Sequence, residues 1–240
     1  DVGGTNTDAV LIEGNKVLSS IKQSTTQDVM TGVVNAIKAV TAADPQPEVA
    51  IDAVMIGTTH FTNAVVERAR MERAAAVRIA MPSGASLPPM VDWPQDLFDA
   101  VNPLRFMVEG GHEYDGRPLV PFNRAQMYDV ARQIRDAGIT AVGVTGLFSP
   151  LTTEAEDEAA AILREVIPGA RITLSHTLGR IGLLERENVT MLNAALQGLG
   201  ASTVDAFRKA LVECGINARF YLTQNDGTVV LADVAAANPV

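Results

Sequence analysis

The sequence is poor in the residues that build disulfides and metal centres. Its 240 residues include one cysteine, Cys214, and three histidines. A single cysteine excludes an internal disulfide and is typical of a reducing compartment, so we expect a cytoplasmic location. Cys214 follows Phe207 and Leu211 at helical spacing, which favours a buried structural thiol over a nucleophile. The histidines are scattered and lack the short spacings of a zinc site.

Basic clusters and long apolar runs are also missing. The chain carries 19 Lys and Arg against 28 Asp and Glu, a net charge of −9, with no dense basic block. We therefore expect neither nucleic acid nor an anionic membrane surface as a partner. The apolar runs fall well short of a membrane span. Hydrophobic residues nevertheless make up 47% of the chain, which is ample for a buried core.

The order of apolar strands and amphipathic helices predicts an α/β protein. Strands are predicted at 8–13, 16–22, 51–56, 75–81, 139–148, 171–175 and 218–222, and helices at 28–43, 60–69, 95–101, 124–137 and 153–166. Thr153 and Glu156 have the spacing of a capping box at the start of the last of these helices. A longer helical region, 181–213, is predicted to break near Gly198 and Gly200.

Prolines interrupt this pattern between Pro82 and Phe122. The sequence therefore predicts an irregular insertion over 82–122, with a β-ribbon around 110–116. The insertion would separate a first part, 1–81, from an α/β continuation, 123–240. The chain begins where half a strand should already lie behind it, and it ends without a polar tail. We expect it to be the front portion of a longer polypeptide.

The opening segment combines two carboxylates, two adjacent glycines and two threonines: Asp1, Val2, Gly3, Gly4, Thr5, Asn6, Thr7 and Asp8. Adjacent glycines let the backbone approach a ligand closely, and successive N–H groups form an anion-binding concavity. Threonine hydroxyls can bond phosphate oxygens, and a carboxylate at the rim can hold Mg²⁺ through water. The segment predicts a nucleotide-phosphate loop with Asp1 as the metal ligand. Asp8 supports the loop or the metal's outer shell, or it caps a turn.

Two known phosphate motifs do not fit the opening segment. No Gly-Lys-Ser/Thr follows the glycines, which excludes a Walker loop. The glycine spacing differs from the dinucleotide fingerprint, and a strand rather than a helix comes next. An ordinary hairpin turn is the remaining alternative.

Two further segments combine glycine with hydroxyl groups. Gly57, Thr58 and Thr59 lie where a predicted strand meets a helix, so they form either an anion site or a plain helix cap. The second segment contains Asn225, Asp226, Gly227 and Thr228. It follows a predicted strand, where ligands of open α/β sheets gather, although Asp-Gly alone predicts only a turn.

The segment 57–59 extends to residue 68, and two other blocks follow it before residues 225–228. They are residues 147–150 with the acidic residues after them, and residues 175–194, which include the polar turn Glu185-Arg186-Glu187-Asn188. That turn is either an exposed charged face or a cleft-facing pair. Together the blocks resemble the N-terminal region of the hydantoinase A / 5-oxoprolinase family, within the actin-like ATPase, sugar kinase and Hsp70 superfamily.

The resemblance implies an α/β fold of a particular kind. It implies an actin-like ATPase (ribonuclease H-like) lobe with a mixed sheet flanked by helices, plus an inserted or second small α/β subdomain. A second ATPase lobe is expected beyond residue 240. The segment 224–228 and the run Asp92-Trp93-Pro94 depart from the family pattern, which indicates a smaller branch. Substrate identity therefore does not carry over.

The activity that the resemblance implies is ATP-dependent hydrolysis of a cyclic amide of the hydantoin, lactam or 5-oxoproline type. ATP and Mg²⁺ are the implied cofactors, and a hydantoinase B-type subunit and a homo- or hetero-oligomer the implied partners. The candidate catalytic residues are Asp1, Asp8, Thr58 and Thr59. The candidate nucleotide-binding residues are Gly3, Gly4, Thr5, Asn6, Thr7, Gly57, Asn225, Asp226, Gly227 and Thr228. A sugar or small-acid kinase and a non-catalytic, ATP-gated partner-binding module remain alternatives.

Overall fold

The computed structural model describes residues 1–3, 6–24, 29–43, 50–224 and 226–240. The strands are β1 (Asn6–Glu13), β2 (Lys16–Ser24), β3 (Ala53–Ile56), β4 (Ala74–Met81), β5 (Leu104–Glu109), β6 (Ala141–Gly146), β7 (Arg171–Leu174), β8 (Arg219–Thr223) and β9 (Val229–Leu231). The helices are α1 (Val29–Ala42), α2 (His60–Val66), α3 (Gln95–Val101), α4 (Arg124–Asp136), α5 (Glu154–Val166), α6 (Leu183–Glu213) and α7 (Ala232–Ala237).

The chain divides into two compact units. Unit 1 comprises residues 1–63 and 199–239, and unit 2 comprises residues 64–198 with Val240. The boundaries predicted from sequence, at residues 81 and 122, both fall inside unit 2. The α/β class is confirmed, with one mixed and one parallel sheet flanked by helices.

Unit 1 contains the mixed sheet and a hairpin. Strands β1 and β2 pair antiparallel, β3 pairs parallel with β8, and β8 pairs antiparallel with β9. One face of the β3–β8–β9 sheet carries Ile56, Phe220 and Leu222, which belong to a buried cluster with residues of α1, α6 and α7. Phe207 of α6 packs edge-on against Phe220, with ring centroids 6.1 Å apart. This cluster is the core of unit 1.

Unit 2 is built on a four-stranded parallel sheet in the order β5-β4-β6-β7. Strand β6 is buried along its whole length, as β4 is up to Ala80. Side chains from α4 and α5 form the buried cluster on one face, and Met191 and Ala194 of α6 belong to the cluster on the other. The nearly continuous apolar runs of the central strands follow from this double coverage.

Two regions differ from, or add to, the predicted elements. Residues 82–122 are not irregular throughout, because Leu104–Glu109 is an edge strand parallel to β4. At the predicted β-ribbon around 110–116, His112 and Pro118 form an isolated antiparallel bridge, and the Glu113 N–H donates to the Arg117 carbonyl oxygen at 2.7 Å. The predicted break in the long helix is wrong. Helix α6 is unbroken at its glycines. A Cβ at Gly198 would overlap the Glu72 carboxylate, and one at Gly200 would lie 2.7 Å from the Ala236 carbonyl oxygen. These glycines permit close packing instead of ending the helix.

Other differences concern short elements and element ends. Strand β9 and helix α7 were not predicted, since three and six residues are too few for a periodic signal. Among the described residues, no helix combines the length and apolar character needed to cross a membrane.

Candidate functional site

Three predicted segments meet at one edge of unit 1. The Val2 N–H donates to the Gly57 carbonyl oxygen at 2.8 Å, and Val2 forms a parallel bridge with Thr58. Ile56 pairs with Leu222 in parallel, so the carboxyl ends of β3 and β8 lie side by side. This end of the sheet is called the unit 1 edge below. The opening segment, residues 57–59 and the turn after β8 therefore converge there. Ligands of open α/β sheets bind outside such carboxyl ends.

The Asp1 side chain is an exposed carboxylate at this edge. A Cβ built on Gly57 would lie 3.2 Å from Asp1 Oδ1, and one built on Gly3 would lie 4.0 Å from Asp1 Oδ2. Two positions without side chains therefore leave room around this carboxylate. On the backbone, the Asp1 amino group donates to the Asp8 carbonyl oxygen at 2.8 Å, and the Asp8 N–H donates to the Asp1 carbonyl oxygen at 3.0 Å.

Other residues of the opening segment are already engaged within the protein. The Gly3 N–H donates to the Asn6 carbonyl oxygen at 3.1 Å. The Thr7 side chain is buried. The Asp8 carboxylate lies 3.3 Å from Lys22 Nζ on the surface of the hairpin. Their roles toward phosphate stay predictions, and Gly4 and Thr5 lie outside the described residues.

Residues 57–59 lead directly into α2. The His60 N–H donates to Thr58 Oγ1 at 3.3 Å, and the Thr58 hydroxyl also contacts His60 Nδ1. The Asn63 N–H donates to the Thr59 carbonyl oxygen at 2.8 Å, and Asn63 Nδ2 donates to Thr59 Oγ1 at 3.3 Å. The Thr58 hydroxyl thus accepts a backbone N–H at the start of α2, as a capping side chain does, whereas Thr59 accepts the backbone N–H of Asn63 through its carbonyl oxygen. A role toward an anion stays a prediction.

The segment after β8 is the turn of the β8–β9 hairpin. The Gln224 N–H donates to the Thr228 carbonyl oxygen at 2.7 Å, and Gly227 has φ +84°. Asp226 Oδ1 accepts from the Thr228 hydroxyl at 2.7 Å and from the Thr228 N–H at 2.9 Å. Both bonds lower the pKa of Asp226, and the bond from the Thr228 hydroxyl is the larger cause. The geometry of the turn thus accounts for these polar residues without a ligand, and their role toward a nucleotide stays a prediction. Asn225 lies outside the described residues.

Unit 2 holds a buried ion pair. Arg78, in the middle of β4, donates from Nε to Glu187 Oε2 at 2.7 Å, and both side chains are at most 2% exposed. Glu187 Oε1 also accepts from the Met90 N–H at 2.8 Å, while Arg78 contacts the Leu87 carbonyl oxygen. The pair therefore fixes the irregular segment after β4 against α6.

A second buried network surrounds Glu156, which is fully buried. Its Oε1 accepts from the Gly146 N–H at 2.7 Å and from the Ser175 hydroxyl, and its Oε2 accepts from His176 Nδ1 at 2.7 Å. Arg186 Nε donates to the Ser175 hydroxyl at 2.9 Å. Burial lowers the pKa of Arg186, and the charges of Glu156 and Glu187 oppose that shift. The network ties the ends of β6 and β7 to α5 and α6.

Comparison with known proteins decides the family. The model of the hydantoinase/oxoprolinase N-terminal region matches residues 1–167. The chain belongs to the hydantoinase/oxoprolinase family. The family predicted from the motifs is thereby confirmed.

Two solved structures are similar to this family member in fold. One is the nucleotide-free structure of an acetone carboxylase, which is described as ATP-dependent. It has a TM-score of 0.77 and 17% identity, and the match covers 99% of this chain and 37% of that one. The other is an ATP-dependent caprolactamase from Pseudomonas jessenii, with a TM-score of 0.75, 19% identity, and coverage of 100% and 38%. The chain thus spans little more than a third of either relative. No curated protein matches it in sequence.

Several buried residues of this hydantoinase/oxoprolinase region escaped the sequence analysis. Glu156 was assigned to a capping box, but Thr153 makes no side-chain cap bond and Glu156 points into its buried network. The turn containing Arg186 and Glu187 is not an exposed charged face, since both side chains are buried. One signal was available: Arg78 interrupts an otherwise apolar strand, and a charge in a covered sheet needs a buried partner.

Proposed function

We propose that this chain is the nucleotide-binding N-terminal part of an ATP-dependent enzyme that opens a cyclic amide. The observation that carries the proposal is the exposed Asp1 carboxylate beside Gly3 and Gly57, at the carboxyl edge of the unit 1 sheet. Family membership supports it, as does similarity to two solved proteins described as ATP-dependent. In this proposal unit 1 is an actin-like ATPase lobe, and a second lobe completes the nucleotide cleft.

The residues at the edge suit a metal–phosphate group. An exposed carboxylate is a ligand that Mg²⁺ accepts directly or through water, and the bare Cα positions around it leave space for a ligand. Asp1 would hold Mg²⁺, while the backbone of the opening segment and of Gly57 would face the phosphates. Bound Mg²⁺ supplies charge neutralisation on the phosphate oxygens during transfer. Thr58, Thr59 and Asp8 remain candidates for contacts with the reacting groups.

The chemistry explains why ATP is consumed. An amide oxygen is a poor leaving group, and its phosphorylation by ATP makes it a good one while ADP departs. A first water adds to the carbon that bears the phosphorylated oxygen, and the ring C–N bond breaks as the nitrogen takes up a proton, which leaves an acyl phosphate. A second water then hydrolyses the acyl phosphate to the carboxylate and phosphate. The products are ADP, phosphate and a ring-opened amino acid. Catalysis of the first step depends on positioning and charge stabilisation, which the residues at the edge would provide.

The test is ADP release by the full-length polypeptide across hydantoins, lactams and 5-oxoproline, with its B-type subunit where one is encoded beside it. We expect Asp1→Asn to lower the turnover by about 100-fold, the usual cost of removing one electrostatic contact to a transition state. Asp52→Asn is the matched control, because Asp52 is an exposed carboxylate just before β3, at the opposite end of that strand. Equal turnover in the two variants would reject the role of Asp1.

The same assay separates the alternatives. A phosphorylated sugar or small acid as the product would identify a kinase. ATP hydrolysis that no cyclic amide alters, together with ATP-driven release of a protein partner, would identify a partner-binding module. The substrate class proposed here requires ADP release that depends on a cyclic amide.

A further inference from the structure

Unit 2 contains an open cavity of about 590 Å³ that the proposed function does not use. It lies outside the carboxyl ends of two neighbouring parallel strands, since Pro82 directly follows β4 and Glu109 ends β5. Helix α3, which follows β4, contributes Val101 to the buried cluster on one face of the sheet, whereas α4, which follows β5, contributes Met127 to the cluster on the other. Connections that diverge in this way leave a crevice, and ligands of open α/β sheets bind in such crevices. The volume lies within the range of small-molecule sites, about 300–1,000 Å³.

The walls of the cavity are mostly apolar and are held in place by the fold. The apolar lining residues are Pro82, Val120, Pro121 and Phe122. Phe122 packs against the core cluster of α4 and α5, and the Gly110 N–H donates to the Met81 carbonyl oxygen at 3.2 Å, which ties the ends of β4 and β5 together. The prolines add rigidity because their rings fix φ. A ligand therefore meets a preformed surface and loses little affinity to the ordering of that surface.

The Glu109 carboxylate gives the cavity its charge. Its Oε2 accepts from Asn123 Nδ2 at 2.8 Å, and Asn123 Oδ1 in turn accepts from the Gln126 N–H at 3.0 Å, so the amide that holds the carboxylate is itself fixed. Within the described part of the chain, no Lys, Arg or His forms an ion pair with Glu109, and no group donates to its Oε1. The other charged lining residue, Arg124, pairs with Glu158. The cavity thus presents an uncompensated negative charge and a free acceptor beside apolar walls.

We propose that this cavity binds a small organic ammonium ion, that is, a protonated amine on a short hydrocarbon chain. The ammonium group donates a charge-assisted hydrogen bond to Glu109 Oε1, and the hydrocarbon chain lies against the prolines and Phe122. The charge of Glu109 disfavours an anion. A metal ion is disfavoured because Ca²⁺ and Mg²⁺ need about six oxygen ligands, and the described residues hold no group of three or more side chains that could bind a metal. The proposal does not depend on the nucleotide function, because every lining residue of the cavity belongs to unit 2.

Isothermal titration calorimetry of the full-length polypeptide tests the proposal with three probes of equal chain length: n-hexylammonium, n-hexanol and n-hexanoate. We expect the ammonium ion to bind at least about 10-fold more tightly than the alcohol, because it adds a charge-assisted bond to the same apolar contacts. Hexanoate should bind more weakly than either. Glu109→Gln keeps an acceptor for Asn123 but removes the charge, so it should abolish the preference for the ammonium ion and leave the binding of the alcohol unchanged.

Two further variants locate the site. Glu113→Gln is the matched control, because it removes the same charge from the segment after β5 at a residue that does not line the cavity. It should bind all three probes as the parent does. Val120→Trp places an indole ring in the cavity and should abolish the binding of the ammonium ion and of the alcohol, independently of any change at Glu109.

Four results would overturn the proposal. They are alcohol or hexanoate binding as tight as that of the ammonium ion, a preference for ammonium that survives in Glu109→Gln, a preference that is lost equally in Glu113→Gln, and unchanged binding in Val120→Trp. The third result would mean that the overall negative potential of the surface attracts the cation, and the fourth that the probes bind elsewhere. Asp1-dependent ADP release tests the proposed function separately, so either proposal can fail while the other stands.

Discussion

The edge of unit 1 and the buried networks of unit 2 use similar residues in opposite ways. In unit 2 the charged groups of Glu156, Arg186 and Glu187 are almost completely buried, and protein donors and acceptors surround them. In unit 1 the Asp1 carboxylate is exposed, and its neighbours at Gly3 and Gly57 lack side chains. Buried charges with protein partners hold a fold together, whereas an exposed charge in an open space is free to meet a ligand.

This difference separates motifs that the sequence presents as equals. Both the opening segment and the 175–194 block carry the resemblance to the family. Only the first lies at a solvent-exposed sheet edge, while Ser175 and Arg186 of the second are enclosed between elements. Family motifs can therefore lie at an exposed candidate site in one unit and in buried structural networks in the other. Substitutions should distinguish them by whether stability or ligand binding changes.

The largest expected effect is on the stability of unit 2. Glu187→Ala leaves the Arg78 charge buried without its partner and removes the acceptor of the Met90 N–H, which should cost about 3–5 kcal/mol of unfolding free energy. The single tryptophan, Trp93, belongs to unit 2, so chemical denaturation followed by its fluorescence measures the change.

The matched control for this substitution is an exposed ion pair of the same unit. Glu67 pairs with Arg70 at 3.3 Å, and both side chains are largely exposed. Glu67→Ala should cost less than about 0.5 kcal/mol, because solvent already screens that pair. Equal losses in the two variants would contradict the structural role given to the buried pair.

A smaller loss is expected for Glu156→Gln, which keeps the size of the side chain but removes its charge. One oxygen becomes an NH₂ donor facing the donors Gly146, Ser175 or His176, so we expect a loss of about 2–3 kcal/mol. Glu154→Gln, at an exposed position of the same helix, should have almost no effect on the same denaturation curve. Turnover per folded molecule in the full-length enzyme should stay within about 2-fold, and a larger drop would place Glu156 in the reaction.

The sequence was sufficient for the elements whose signal is local. The apolar runs of β4 and β6 and the periodic pattern of α4 predicted those elements to within a few residues. It failed where the reason for a residue lies far along the chain. Gly198 reads as a helix breaker until Glu72 is known to pack against it, and that contact depends on tertiary structure.

The candidate site shows the same limit. Each of its three segments was recognised from its own glycines and hydroxyls, because turn chemistry is local. That Gly57 borders the Asp1 carboxylate follows from the bridge between Val2 and Thr58, which no spacing in the sequence reveals. The partners of Glu156 were missed for the same reason, since Ser175 and Gly146 reach it only through the order of strands in the parallel sheet.

A change at the unit 1 edge should affect binding more than stability. In Gly57→Ala the new Cβ would lie 3.2 Å from Asp1 Oδ1, so the carboxylate would have to shift slightly from its position. We expect the affinity for Mg²⁺-ATP to fall about 10-fold in the full-length protein, which corresponds to about 1.4 kcal/mol. Isothermal titration calorimetry measures it, with Ser20→Ala on the exposed side of the hairpin as the control. A drop in melting temperature without a change in affinity would assign Gly57 to packing alone.

The smallest expected effect concerns the β8–β9 turn, where the local bonds already explain the polar residues. The Thr228 hydroxyl is the first cause of the lowered pKa of Asp226, so Thr228→Val should raise that pKa toward its ordinary value while the Thr228 N–H bond remains. A carboxyl whose pKa is lower in the folded state stabilises the fold above its unfolded pKa and loses that contribution as pH falls through the folded pKa. The variant should therefore lose less stability on acidification than the parent.

NMR titration of the Asp226 carboxyl carbon follows the shift directly, and an unchanged midpoint would mean that the hydroxyl bond is not formed in solution. If Mg²⁺-ATP moves this midpoint in the parent protein, the turn belongs to the candidate ligand-binding site. If nucleotide leaves the midpoint unchanged, Asp226 is a turn residue only.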